Sequence, residues 1–201
     1  MKKVILPIVL LAVLAFGVVK STLTDAEREF AVKEMTESHD HFLNTLKGLN
    51  EVQLNFKATD SSWSIAECAE HIAISENMIF GMLQGTLANE ADPSKRSEVK
   101  VTDEELIAMI EDRSHRVKTG EAFEPSGKYG SFEETVEEFK SKRKEHIEYV
   151  KSTQDDLRNR YQQLPFGIVD AYQILLFMSG HTERHIKQME EVMDEEDFPM
   201  E

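Results

Sequence analysis

Residues 181–188 read HTERHIKQ, and they hold the side chains best able to do chemistry in this chain. His181 and His185 are four residues apart, and Gln188 follows three later. On a helix these three share one face. Two imidazoles at that spacing can direct their nitrogens at one divalent ion. The same spacing also occurs on ordinary bundle helices, so its surroundings decide. At about 100° per residue, Ile174, Phe177, His185, Gln188 and Val192 all fall within about 40° of His181. Both histidines therefore sit in the middle of an apolar stripe, while Glu183, Ile186, Lys187 and Glu190 fall elsewhere. Imidazoles that face a core need partners for their nitrogens. Hydrogen bonds within the protein are one answer and a metal is the other, and the helix alone leaves both open.

A third ligand has to come from another helix. His71 is the best candidate, because it flanks the apolar stripe of an earlier helix. Cys68 lies three residues before it and is either a small buried hydrophobe or a companion ligand. Glu76 falls inside the same apolar face. A carboxylate there needs a partner, either the far nitrogen of a ligand histidine or a cation such as Arg184. Gln188 and Asp170 lie on the histidine face of the last helix and are candidates for the same supporting role. His39, His115 and His146 stand in strongly polar stretches and read as incidental; His41, beside Phe42, is less polar in its setting.

Helices must position these groups. Thr24 and Glu27 have capping-box spacing and open a helix running to about Leu46. Ser62 or Ser64 caps a second, about 64–88, with Glu67 three after Ser64 and apolar positions at Ile65, Cys68, Ala69, Ile72, Ile79 and Leu83. Thr102 and Glu105 start a shorter one over residues 102–118, and Ser131 and Glu134 start another to about Thr153. A last helix spans about 168–193. Stretches 50–62, 89–100 and 119–130 are polar or rich in Gly and Pro, and LPFG at 164–167 interrupts the chain again. No strand-like alternation or repeat stands out. The expected fold is all-α: an up-and-down four-helix bundle with an additional short helix, over residues 21–201.

Composition narrows the function. The 201 residues are 40% hydrophobic and 30% charged, with one cysteine and a formal net charge of −15. A single cysteine excludes an intrachain disulfide and a multi-cysteine zinc motif. The acidity, with no basic patch interleaved with aromatics, argues against nucleic acid as a partner. Residues 1–20, MKKVILPIVLLAVLAFGVVK, pair a positive start with an uncharged run from Val4 to Val19. That fits an export signal better than a full membrane span, with an uncleaved N-terminal anchor as the alternative. The expected location is therefore outside the cytoplasm, periplasmic or extracellular, or membrane-anchored through this segment.

Two stretches resemble the DinB superfamily of four-helix-bundle metalloproteins, especially its YfiT-like branch. One is WSIAECAEHIAISEN at 63–77, with a histidine eight residues after the tryptophan and a glutamate five after the histidine. The other is DAYQILLFMSGHTERHIKQMEEV at 170–192. Their order also matches, with one histidine in the second helix and two in the last. The resemblance implies a divalent metal, usually zinc or nickel, held by His71, His181 and His185, with Glu76 and Gln188 as supporting groups. Three neutral imidazoles leave an open coordination position. It implies metal-dependent hydrolysis or thiol S-transfer on a small molecule. An exported chain is separated from cytosolic thiols, which weighs against transfer. The competing expectations are a non-catalytic metal-binding or stress-related bundle of the cell envelope, and a helical interaction protein with no metal. A homodimer is a common state for such bundles, but no face for it can be read from the sequence.

Overall fold

The computed structural model describes residues 22–200; the expected export segment lies outside them. The helices are α1 (Asp25–Thr45), α2 (Glu51–Leu54), α3 (Ile65–Leu87), α4 (Asp103–Glu111), α5 (Phe132–Ser152) and α6 (Ala171–Met193). Short 3-10 turns occur at Pro93–Glu98 and Glu121–Phe123, and strands β1 (Tyr161–Leu164) and β2 (Gly167–Asp170) pair as a hairpin. No helix of the described residues is long and apolar enough to cross a membrane.

Each α-helix opens with a reciprocal cap. Thr24, Asn50, Ser64, Thr102, Ser131 and Asp170 accept from the amide three residues on, and the side chain at that third position returns to the cap's own N–H. Two otherwise orphaned donors are satisfied at each start. This local chemistry is why the starts of α1, α3, α4 and α5 are readable from sequence.

The bundle is built from α1, α3, α5 and α6, with α6 and α5 each touching both α1 and α3, and α4 laid against the outside of α6. Side-chain pairs give the directions. Tyr172 donates to the Glu27 carbonyl, Ser179 to that of Glu34, and His41 meets Glu183, so α1 and α6 run parallel. Asn77 pairs with Glu138 and Phe80 stacks on His146, so α3 and α5 also run parallel. Arg28 reaches the Val150 carbonyl and Phe42 packs on Phe139, so α1 and α5 are antiparallel. The simple up-and-down order expected from sequence is thus corrected: α1 lies diagonal to α3, and α5 to α6. The cause is the long crossover, residues 88–131. It carries α4 back along α6, so that α5 starts at the same end as α3.

Further differences have local causes. Helix α4 stops at Glu111 instead of continuing to about Lys118. Asp112 adopts an extended conformation and its carboxylate accepts from the amide and hydroxyl of Ser114. Arg184 then takes the carbonyls of Ile110, Asp112 and His115, replacing further helical bonds. The hairpin was not expected, because four-residue strands are too short to show alternation. Gly167, at φ 144°, opens β2 in a conformation side-chain-bearing residues rarely adopt.

The core divides into two apolar clusters. One gathers Met35, Ile79, Leu83, Val150, Ile174 and Leu175; the other gathers Phe42, Ile65, Cys68, Ile72, Phe139 and Met189. Between them lies a buried polar layer around Arg143. Its Nε and one Nη2 hydrogen bind both oxygens of Glu76 at 2.9 and 2.7 Å, and its other donors reach the Met35 carbonyl, Ser38 Oγ and Thr182 Oγ1. All five guanidinium protons are used. His146 Nδ1 donates to the same Glu76 carboxylate at 2.7 Å while its ring stacks on Phe80.

Candidate metal centre

The Ser64 cap starts α3 so that Ile65, Cys68, Ala69 and Ile72 face the core, which turns His71 toward α6. Because α6 runs antiparallel to α3, the late α6 turn carrying His181 and His185 meets the early α3 turn carrying His71. The three imidazoles come together: His71 Nε2 lies 3.1 Å from His185 Nε2 and 3.3 Å from His181 Nε2. Their ligand atoms all fall within 4.8 Å of one another.

The outer ring edges fix the proton positions. His71 Nδ1 lies 2.8 Å from the Phe123 carbonyl, which can only accept, so Nδ1 carries the hydrogen. His185 Nδ1 lies 2.9 Å from Gln188 Oε1, and Arg113 Nη1 also donates to that oxygen at 3.4 Å. An atom facing an arginine donor must be the amide oxygen, so His185 Nδ1 is a donor as well. In their neutral forms both rings then present bare Nε2 lone pairs to each other. The neutral form is the favoured one. Burial pushes His71 below its ordinary pKa. Burial, with the neighbouring His71 and Arg184 charges, lowers His181 to about 3. Burial and the other two imidazoles place His185 well below its ordinary value.

Such a set fits a divalent ion. Two lone pairs 3.1 Å apart repel unless something positive lies between them. Nitrogens each ~2.1 Å from one ion are about 3.4 Å apart in tetrahedral geometry and about 3.0 Å apart at an octahedral right angle. The observed separations of 3.1 and 3.3 Å lie in that interval. Imidazole donors suit zinc and nickel alike. Aromatic rings wall the cluster. Trp63 packs on His71 and His185 with centroids at 4.8 and 6.2 Å, Phe123 on His71 at 6.5 Å, and Phe177 on His181 at 5.9 Å. The hairpin tip adds Phe166, packed on Phe177.

The remaining sequence candidates are placed as follows. Gln188 touches His185. Glu76 does not support a ligand histidine; this expectation is corrected, because the Arg143 guanidinium, fully buried on the adjacent helix, claims both its oxygens. Burial alone would raise the Glu76 carboxyl, but Arg143 and His146 hold it below the ordinary range. Arg184, its expected alternative partner, binds carbonyls at the end of α4 and just beyond it. Asp170 caps α6 and receives Arg96 and Arg158, at the end of α6 remote from the histidines. Cys68 is outside the histidine cluster, and burial pushes its thiol up to about 12. His146, read as incidental, is a buried member of the polar layer. His41 pairs with Glu183 and Glu190 at the surface.

Comparison with known proteins bears on the family and the fold. A family model describing the DinB superfamily matches residues 34–189. The chain is similar to the uncharacterized protein YuaE of Bacillus subtilis (strain 168), at 25% identity over 152 residues, covering 75% of this chain and 90% of YuaE. Among solved structures it is similar to YfiT from Bacillus subtilis, described as a probable metal-dependent hydrolase with an unusual four-helix bundle topology. That likeness has a TM-score of 0.58 at 14% identity, covers 87% of this chain and 90% of YfiT, and speaks to the fold. With a family match spanning most of the chain, the protein belongs to the DinB superfamily.

Proposed function

We propose that His71, His181 and His185 hold a divalent metal ion, zinc or nickel, through their Nε2 atoms, and that the centre hydrolyses a small molecule. The observation carrying this reading is the 3.1 Å separation of two Nε2 atoms whose rings are both protonated on the opposite edge. When bound, the ion supplies a Lewis acid that brings the pKa of a coordinated water toward neutrality. The chain's own residues do the rest. The Phe123 carbonyl and Gln188 hold the two imidazoles in the tautomer with Nε2 free. Trp63, Phe123 and Phe177 provide apolar walls that limit competing solvent and would contact an apolar part of a substrate. Three protein ligands leave a position open for substrate or water.

Hydrolysis is favoured over thiol transfer by the export reading of residues 1–20, which separates the chain from cytosolic thiols, and by the description of YfiT as a probable metal-dependent hydrolase. Metal binding without turnover is the second reading. What favours it is that the hydrogen-bond partners of the three rings, among the described residues, are a carbonyl, an amide and one another, contacts that hold the rings for ligation and assign no residue to a proton-transfer step. A panel of small esters, amides and lactones, assayed on metal-depleted and zinc- or nickel-reconstituted protein, separates the two. Turnover that appears with metal and is lost in His71→Ala supports hydrolysis. Full metal loading with no turnover across the panel selects the second reading.

A further inference from the structure

The crossover segment passes over the first half of α3, and adjacent α3 residues fasten it there. His71 Nδ1 donates to the Phe123 carbonyl at 2.8 Å. Glu70, the preceding residue, accepts three successive backbone amides. Ser126 and Lys128 donate to Oε1 at 3.2 and 2.7 Å, and Gly127 donates to Oε2 at 3.0 Å. Three consecutive N–H groups converge on one anion only where the backbone curls into a nest. Gly127, at φ 72°, supplies the left-handed residue this requires. The Glu70 side chain is buried, so its lone pairs are committed to the loop and not to solvent. Farther along, the Tyr129 hydroxyl reaches the Ala73 carbonyl at 3.4 Å, extending the seam up α3.

We infer that Glu70 is a positioning residue of the histidine centre: by moulding residues 126–128 it holds the Phe123 carbonyl against His71 Nδ1 and so keeps the His71 Nε2 lone pair free. This rests on His71 acting as a ligand. An imidazole that loses its Nδ1 partner exchanges freely between tautomers, and the form protonated on Nε2 cannot ligate. A glutamine at position 70 has one acceptor oxygen and presents an N–H₂ donor to amides that are themselves donors. Glu70→Gln therefore loosens the nest with little change in side-chain volume. Glu67, one turn earlier on the same helix, caps Ser64 and pairs with Lys57, and serves as the charge-removal control.

The test compares untagged wild type, Glu70→Gln and Glu67→Gln. In metal-free protein, nitrogen NMR of the imidazoles reads the His71 tautomer, and hydrogen exchange reads the amides of 126–128. Affinity for zinc alone is read by competition with a chromophoric chelator, and the visible spectrum of bound cobalt reports the ligand geometry. Expected for Glu70→Gln are loss of protection at 126–128, a mixed His71 tautomer, and zinc binding weakened roughly 10- to 100-fold. Glu67→Gln should change none of these. An unaltered His71 tautomer in Glu70→Gln overturns the inference, as does unaltered zinc affinity. Failure of wild type to bind zinc, nickel or cobalt instead overturns the metal reading, while the metal-free tautomer measurement still decides whether Glu70 positions His71.

Discussion

His71 Nε2 and His185 Nε2 face each other at 3.1 Å, each on a ring whose proton is held at the far edge by a different acceptor. One acceptor is a main-chain carbonyl of the crossover; the other is Gln188, one turn along α6. Neither supporting contact involves a carboxylate, so the rings would bind a metal as neutral ligands instead of imidazolate-like ones.

Gln188 can be removed without disturbing the core. Gln188→Ala should weaken zinc or nickel binding roughly 10- to 100-fold, because His185 loses the acceptor that fixes its tautomer. Unfolding of the metal-free protein should change by no more than about 1 kcal/mol. Chelator competition and denaturant titration on the same samples check both halves. Unchanged affinity would show that the Gln188 contact does not matter to the centre.

The clustered histidines make metal-free stability depend on pH. His181 is lowered to about 3 in the folded state by burial, by His71 and by Arg184, against an ordinary value of 6.5. Between those values the unfolded chain binds a proton that the folded chain refuses, so stability is full above 6.5 and falls as pH drops. His71 and His185 are also lowered and act with the same sign. His41 acts oppositely: burial would lower it, but Glu183 and Glu190 hold it above its ordinary value. The experiment is therefore thermal unfolding from pH 7.5 to 5 in a His41→Gln background, before most carboxylates titrate. The midpoint should fall steadily below pH 6.5, and replacing all three cluster histidines should flatten the curve.

The polar layer at mid-bundle should be sensitive to losing one member. Arg143→Met leaves the Glu76 carboxylate fully buried without its cation, and should cost about 3–5 kcal/mol in denaturant unfolding. Adding Glu76→Leu to Arg143→Met should recover much of that loss, since the uncompensated charge is then gone. A double variant no more stable than Arg143→Met would contradict this account of the layer.

Cys68 should behave as core, not as a ligand. It is buried among Phe42, Ile65 and Ile72, and burial raises its thiol to about 12. A neutral aromatic disulfide reagent should modify it only as fast as the protein unfolds, and metal loading should slow modification and unfolding by the same factor. A fall on metal loading much larger than the fall in unfolding rate measured on the same samples would place the sulfur at the centre after all.

Much of the candidate site was legible because its signals are local. Capping boxes mark where the helices start, and two histidines on an apolar stripe mark a face that needs something more than hydrocarbon. What escaped depends on tertiary pairing. The directions of α3 and α5 follow from how the 88–131 crossover returns, which no local pattern states. The partner of Glu76 was missed because Arg143 and His146 stand in EEFKSKRKEH, a stretch that reads as a solvated face. Yet Val136, Phe139, Arg143, His146 and Val150 follow alternating spacings of three and four, so both polar residues occupy stripe positions. Glu70 and the Phe123 carbonyl left no such trace. The first is a glutamate beside His71 in the mostly apolar stretch IAECAEHIAI, with nothing local to name its partner, and the second is main chain from a loop far away in sequence.

We propose that three histidines from α3 and α6 share one metal ion. The most direct test of this is elemental analysis of the untagged protein after growth with zinc and nickel supplied, beside His71→Ala and His185→Ala. Close to one zinc or nickel per chain is expected in wild type, with most of it lost in each variant. Wild type without metal, or His71→Ala retaining a full complement, would contradict it.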